Sequence, residues 1–345
     1  MKLYFYTRYA RNGASSRLRF YAYAERWRER GMPAEVRHFF SAAYLQKLYS
    51  GGKKSLLGFA AATLRRWWQL LAPGKHIIAE YELMPFVPYP IERLVLRGRK
   101  LILNFDDDVA QKYASNPFLR HKFDHLIRRA EGVICANEEL ALRARLYNGN
   151  VMKLATLVDL AAYDAVAPEP AERLTLVWIG TPATYFYLEQ ASDALRAMRQ
   201  KRDFELLVIA CKSLAARAIE GVEMRFEEWS ESTEVALLKQ AHIGIMPLPA
   251  NDAFAQGKSA YKLIQYCAAG IPAIASNVGE NPFVLRDGVT GILAGSPAEW
   301  AKALEAITEP ERYRTMCAAC RATAPEFSLE QGFERFKGFV ERTFR

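Results

Sequence analysis

This chain predicts two α/β domains, each a parallel sheet covered by helices, and three observations carry that prediction. At 345 residues it is long for one domain and comfortable for two, each with its own core. Short apolar runs alternate with helical stretches along its length, the pattern of parallel strands joined by helical crossovers. Midway, "YDAVAPEPAERL" (163–174) breaks the alternation with two prolines, alanines and scattered charge, a composition suited to a linker. The reading is therefore two Rossmann-like domains joined near residue 168: 1–165, then 170–325, with 326–345 as a closing helix.

In the first half, strands are expected at "KLYFYT" (2–7), "AEVRHFF" (34–40), "HIIAEYE" (76–82), "KLILNF" (100–105), "GVICA" (132–136) and "VMKLAT" (151–156). A helix over 15–31 ends at Gly31, and further helices fill most of the gaps. The second half repeats the scheme with strands at 174–180, 204–210, 223–229, 242–248 and 271–276, and helices over 184–200 and 259–269. "SLEQGFERFKGFVERTFR" closes the chain as an amphipathic helix. In open sheets of this kind ligands gather at the carboxyl ends of the strands.

Composition narrows the class. Half the residues are hydrophobic and a quarter charged, as in ordinary globular proteins. No apolar stretch approaches the roughly 20 residues that cross a bilayer, and "MKLYFYTRYARNG" lacks the features of a signal peptide. The expectation is a cytoplasmic chain, and five cysteines fit that compartment. Cys317 and Cys320 form a lone CxxC inside a helical stretch, with no second pair to complete a zinc site. His121 and His125 stand four apart on an expected helix, which reads more readily as a solvated face than as a metal pair.

The net charge of +9 is uneven: residues 1–165 hold 27 Lys and Arg against 15 Asp and Glu, and the rest hold 20 against 23. The first half thus suits an anionic partner, whether a membrane surface, a phosphate-bearing substrate or nucleic acid. Nucleic acid is the weakest of the three, because interleaved aromatics and known motifs are missing.

Four features have site chemistry. "LILNFDDDVA" (101–110) ends an apolar strand on Asp106, Asp107 and Asp108. Such a triplet can hold a divalent metal through Asp106 and Asp108, place a carboxylate beside a reacting hydroxyl, or simply cap a strand end. "RNGASSR" (11–17) follows the first strand. There Gly13 permits close backbone approach, Ser15 or Ser16 can cap a helix, and Arg17 can reach an anion. "VWIGTPATYFYLEQA" (177–191) repeats the device with Gly180, then Thr181 or Thr184 as cap. Trp229, in "RFEEWSE" at a strand end, suits stacking on a ligand or plain packing.

The most informative stretch is "GKSAYKLIQYCAAGIPAIASNVGENPFVLRDGVTGILAG" (257–295). A helix starting near Ser259 puts Lys258, Lys262 and Gln265 on one face, with Tyr261 beside them. Two ammonium groups at a helix N-terminus make a site for a diphosphate.

"CAAGIPAIASNVGEN" and "RDGVTG" resemble the donor-binding signature of the retaining GT-B glycosyltransferases of family 4, the glycosyl transferases group 1. The signature reads Glu, seven residues, Glu, then A-x-G-x-P-V-V-A-S, a glycine-bearing loop and DG-x-TG. This chain departs from it at the paired glutamates, where Gly257 and Gln265 stand. An amide at 265 still offers donor and acceptor to ribose hydroxyls. A branch of the family is similar throughout, including "GASSRLRFY", "EYELMPF", "NFDDDV", "AEGVICANEELA" and "GKSAYKLIQY".

The resemblance implies a GT-B fold, two Rossmann-like domains whose parallel sheets face each other across a cleft, and a nucleotide-diphosphate sugar as donor. It implies that no metal is needed, since Lys258 and Lys262 neutralise the diphosphate. Gly13, Arg17, Gly180, Thr181, Ser259, Tyr261 and Gln265 would complete the donor site. Asp106 falls where many relatives place a histidine, so Asp106 or Asp107 would meet the sugar or the acceptor hydroxyl. A saccharide or lipid-linked acceptor and a role in cell-surface polysaccharide assembly are implied as well. The lost glutamates motivate an alternative, a non-catalytic nucleotide-binding scaffold subunit.

One helix points elsewhere. In "SLLGFAAATLRRWWQLLAPGK" (55–75), Leu57, Ala60, Leu64, Trp67 or Trp68, and Leu71 form an apolar stripe. Arg65, Arg66 and Gln69 lie opposite, and Lys53, Lys54 and Lys75 flank it. The stripe either packs on its own domain or lies at a membrane surface, tipped toward the membrane by the basic half.

Overall fold

The computed structural model describes residues 1–53, 55–71, 74–163 and 173–345. Lys54 and most of the expected linker, 164–172, lie outside the described residues. The chain divides into two compact units: Met1–Thr156 with Gly257–Ser259 and Glu330–Arg345, and Leu157–Gln256 with Ala260–Leu329.

The first unit is built on six parallel strands, β1 (Leu3–Tyr9), β2 (Ala34–Phe40), β3 (His76–Glu80), β4 (Lys100–Phe105), β5 (Gly132–Cys135) and β6 (Val151–Lys153). Their order is β2-β1-β3-β4-β5-β6. All are paired in parallel, for example Ile78 of β3 with Phe5 of β1 and Ile102 of β4. Parallel strands bury both faces under helices, so they read as near-continuous apolar runs. Leu101, Ile102 and Leu103 are accordingly fully buried. The second unit holds β7 (Leu174–Ile179), β8 (Phe204–Ala210), β9 (Met224–Glu228), β10 (Ile243–Met246), β11 (Ala273–Ala275) and β12 (Gly291–Leu293), in the order β12-β11-β10-β7-β8-β9. The three-residue β12 was not expected; too short to show a period, it is placed by pairing with β11.

Strand order reverses direction between β1 and β3 in the first unit and between β7 and β10 in the second. At such switch points neighbouring crossovers leave to opposite sides, and a crevice opens beyond the carboxyl ends.

Several helices differ from expectation. The stretch over 184–200 is two helices, Pro182–Gln190 and Ser192–Arg199, parted at Ala191. The helix expected from Ser259 begins at Tyr261, because Ala260 takes a left-handed conformation with φ +52° that no α-helix can include. The C-terminal helix Leu329–Phe344 belongs from Glu330 onward to the first unit. There Phe336 packs against Phe5, Tyr23 and Trp27. The helix Pro310–Thr323 carries Cys317 and Cys320 buried in its middle.

The helix Leu56–Leu71 turns its apolar stripe outward. Leu57 is 84% exposed, Trp68 74% and Leu71 72%, while Ala60 and Leu64 are also exposed. The stripe therefore does not pack on its own domain. Arg66, expected on a solvated face, is instead buried. It donates to Thr7 O at 2.8 Å, and its guanidinium lies over the rings of Tyr6 and Phe39. On this helix Arg66 is buried beside Ala62 and Leu70, while Leu56, Leu57, Leu64 and Leu71 are exposed.

Candidate functional site

Each unit assembles a polar cluster at its own switch point. In the first, β1 runs into Gly13, which precedes a helical stretch beginning at Ala14. A Cβ at Gly13 would sit 2.5 Å from Tyr9 Cβ, so the turn requires glycine. Ser15 and Ser16 do not cap this helix as expected. Both hydroxyls donate to Glu80 at 2.6 Å, and the amide of Arg8 donates to the same carboxylate at 2.7 Å. Glu80, the last residue of β3, thereby ties the end of β1 to its neighbour. Burial pushes its pKa up despite these three donors. Arg17 is buried in the next turn.

The three aspartates after β4 part company. Asp106 accepts from the phenol of Tyr81, Asp107 pairs with the Lys258 ammonium at 3.2 Å, and Asp108 faces away. Asp108 accepts from Ala110 N and Gln111 Nε2 and pairs with Arg143 at 3.0 Å. It caps the turn Val109–Tyr113, so one member of the triplet is structural. Among the described residues no group of three or more His, Cys, Asp or Glu side chains is placed to hold a metal. His121 lies just before the helix Lys122–Arg129, and His125 stacks on Tyr89.

Burial, and then the adjacent charge of Asp107, push the Asp106 pKa up to about 7, while Arg19 and the Tyr81 hydroxyl oppose the rise. Tyr81 has φ +62°, a strained conformation for a residue with a Cβ. Phe86, five residues on, shares that φ. Between them Glu82, with Glu92, holds the buried Lys122 ammonium at 2.6 and 2.8 Å, and the ammonium also donates to Met84 O. This buried triad rigidifies the loop leaving β3.

Gly257–Ser259 belong to the first unit although the residues on either side belong to the second. Asn137, which caps the helix Glu138–Arg145 through its side-chain oxygen, donates from its amide nitrogen to Gly257 O at 2.8 Å. Lys258 and Ser259 are half-buried there. Lys258 therefore precedes the helix Tyr261–Ala268 and does not share its face with Lys262 and Gln265, a correction to the expected spacing. The reason is Ala260, whose left-handed backbone turns the chain between the two lysines.

In the second unit, Gly180 follows β7 and Thr181 caps the helix Pro182–Gln190 in a reciprocal box with Thr184. A Cβ at Gly180 would fall 2.3 Å from the Trp178 ring, so glycine lets that ring lie under the strand end. The Lys262 ammonium sits over the Trp178 ring, 5.4 Å from its centroid. Tyr261, half-buried, opens the helix. Gln265 is buried, its amide donating to Glu234 Oε1 at 3.2 Å and lying 3.4 Å from Tyr163 Oη. Trp229 donates from its indole to the other oxygen of Glu234 at 2.6 Å. A carboxylate thus stands beside the position where the signature places its second glutamate, supplied by the helix Glu234–Leu238. In the "RDGVTG" segment Thr290 Oγ1 accepts from Arg286 N and Asp287 from Leu293 N, so these residues close the turn before and around β12.

Reading the sequence missed Tyr81, Glu80, Lys122, Arg143 and Glu234. "EYE" at the end of β3, an aromatic between two acids, was the available signal for the first two. For Glu234 there was none, since its meeting with Gln265 joins residues 31 apart in the chain.

Residues 173–309 match the family model described as glycosyl transferases group 1. Solved structures resemble the whole chain. The Anabaena HepE protein, crystallised with UDP and glucose, is 16% identical with a TM-score of 0.70, covering 99% of this chain and 100% of that one. Sucrose-phosphate synthase from Thermosynechococcus elongatus is 16% identical with a TM-score of 0.69, covering 100% and 99%. A glycosyltransferase from Rickettsia africae ESF-5 is 12% identical with a TM-score of 0.67, covering 100% and 99%. These likenesses show the fold, the two-domain GT-B architecture. No curated protein matches in sequence.

Proposed function

We propose that this chain is a retaining glycosyltransferase of family 4 that moves a sugar from a nucleotide-diphosphate donor to an acceptor hydroxyl. The observation that carries the reading is the group 1 family match over 173–309, together with cationic and helix-terminal groups at the second unit's switch point. Gly180, Thr181, Tyr261, Lys262 and Gln265 are the donor residues of that unit, with Trp229 for the base and Glu234 beside Gln265. Gly13, Arg17 and Ser259 complete the set in the first unit. Because HepE was crystallised with UDP-glucose, UDP is the first nucleotide to try.

In the proposed reaction the bond from the anomeric carbon to the diphosphate oxygen breaks on the face where the acceptor oxygen bonds. The acceptor proton passes to the leaving diphosphate oxygen. The protein orients the reactants and neutralises the leaving group, with Lys262 as the charge and no metal required. Lys258 is held by Asp107, and a diphosphate competes with that carboxylate for it. Asp106 or Asp107 receives the acceptor hydroxyl. The acceptor is a saccharide, free or lipid-linked, as in cell-surface polysaccharide assembly. The exposed leucines and Trp68 of Leu56–Leu71, flanked by Lys53 and Lys75, support peripheral contact of a cytoplasmic protein with an anionic membrane face.

The test is a thermal-shift screen against UDP, GDP, ADP and CMP, each with and without EDTA, followed by donor-consumption assays. Stabilisation by one diphosphate that survives EDTA, with donor turned over, is the expected result. Stabilisation that appears only with Mg²⁺ or Mn²⁺ overturns the metal-free site. The second reading, a nucleotide-binding scaffold, is favoured by Gln265 and Gly257 in place of two glutamates. It predicts donor binding without turnover.

A further inference from the structure

We propose that Tyr81 is the positioning residue for Asp106, orienting its carboxyl toward the acceptor hydroxyl and stabilising its ionised form. The inference rests on the reading that Asp106 meets the acceptor, and it assigns a role to a residue outside the family signature.

Geometry supports it in three ways. First, Tyr81 directly follows β3 at the switch point of the first unit, with a backbone that is costly for a tyrosine, φ +62°. Its amide donates to Asn104 O at 3.2 Å, which fixes it against β4, the strand that carries the aspartates. Strain of this kind persists only where the surroundings over-determine it, and here it aims one side chain. Second, the ring is buried and packs on Phe105 with centroids 6.1 Å apart, so its hydroxyl has little freedom. Third, that hydroxyl donates to Oδ1 of Asp106, so one carboxyl oxygen is held by a fixed donor.

The charges facing the pair come from several elements. Asp107 adjoins Asp106 and carries the Lys258 ammonium. Glu80 approaches from β3, held by Ser15, Ser16 and the Arg8 amide. Arg19, from the π-helical segment Arg17–Tyr21, donates to Asn104 Oδ1 at 2.7 Å and to Leu154 O. Burial and the neighbouring carboxylates hold the Tyr81 phenol well above its usual range, so it stays a donor at every working pH. A fixed donor on Oδ1 favours the carboxylate over the acid, against burial and the Asp107 charge.

The experiment follows the aspartate carboxyl carbons by NMR in labelled full-length protein, with the Asp106 resonance assigned by its loss in Asp106→Asn. In Tyr81→Phe the titration midpoint of Asp106 is expected to move up by about one pH unit, as loss of a charge-assisted hydrogen bond requires. The acidic limb of kcat/KM moves with it, while the high-pH plateau falls less than tenfold. An unmoved midpoint, or a loss of activity equal at every pH, overturns the proposal. Should Tyr81→Phe fail to fold, Asp106→Asn still decides, because an acidic limb that survives in that variant also overturns it. Absence of transfer by the unaltered protein is a failure of the glycosyltransferase reading alone, since the carboxyl titration needs no substrate.

Discussion

Three consecutive aspartates, identical in the sequence, have three different partners and therefore three different chemistries. Asp106 holds a proton near neutrality, which has a consequence for stability as well as function. In the unfolded chain it ionises near pH 3.8, whereas in the fold it keeps its proton to about pH 7. The folded state thus binds more protons across that window, so this group's contribution to stability declines as pH rises from about 4 to about 7. Asp106→Asn should flatten that part of the stability–pH curve and raise the melting temperature at pH 8, as calorimetry would read. A neutral-pH gain in stability alongside a loss of activity is the signature of a site that trades stability for function. Lys262 belongs to the same scale. Lys262→Ala should lower turnover about 10²-fold if preorganised charge is what the donor site provides, and equal activity would remove that assignment. Glu82, Lys122 and Glu92 are fully buried, so Lys122→Ala leaves uncompensated carboxylates. Denaturant titration should show a cost of about 3–5 kcal/mol.

At the level of elements, the helix Leu56–Leu71 is the one most at odds with ordinary packing. Its apolar stripe was legible as a stripe, because period-3.6 spacing is written in the sequence. Which way the stripe faces was not legible, since that depends on Arg66 finding Thr7 O and two aromatic rings inside the unit. Exposed leucines beside Trp68, with exposed Lys53 and Lys75, suit a headgroup boundary. Leu57→Glu with Trp68→Glu should abolish sedimentation with phosphatidylglycerol-containing vesicles while leaving the fold and UDP binding intact. Undiminished sedimentation of the double variant would sink the membrane assignment. The helix Tyr261–Ala268 carries the opposite lesson. A shift of two residues in its start, caused by one left-handed alanine, separated Lys258 from Lys262. Counting along an ideal helix cannot foresee a residue in a conformation that local propensity disfavours.

For the whole molecule, the two sheets, their parallel sense and most of their strands followed from apolar runs and their spacing. The chain's partition did not. The stretch Gly257–Ser259 and the C-terminal helix from Glu330 both join the first unit, because Asn137, Asp107 and the aromatics Phe5, Tyr23 and Trp27 receive them. Truncation before Glu330 should therefore expose that aromatic surface. Such a protein is expected to lose cooperative unfolding of the first unit and to bind a hydrophobic dye, measured against the full chain. The charge asymmetry also acts at this scale. Vesicle binding through the basic half should weaken steeply between low and physiological salt, as screening shortens to about 8 Å.

The sequence by itself determined the class of fold, the position of nearly every long strand, the amphipathic stripe of Leu56–Leu71 and the donor-type signature at 257–295. The first three are local patterns of side-chain periodicity and turn chemistry, and the last is a set of motif residues that resembles a family signature. Only the tertiary structure decided which aspartate meets Tyr81, which meets Lys258 and which caps a turn. It alone set Glu234 beside Gln265 and turned the leucine stripe outward. Apart from the local cap at Asp108, those outcomes join residues 25 to 151 positions apart, and burial at the contact with Tyr81 is what raises the pKa of Asp106.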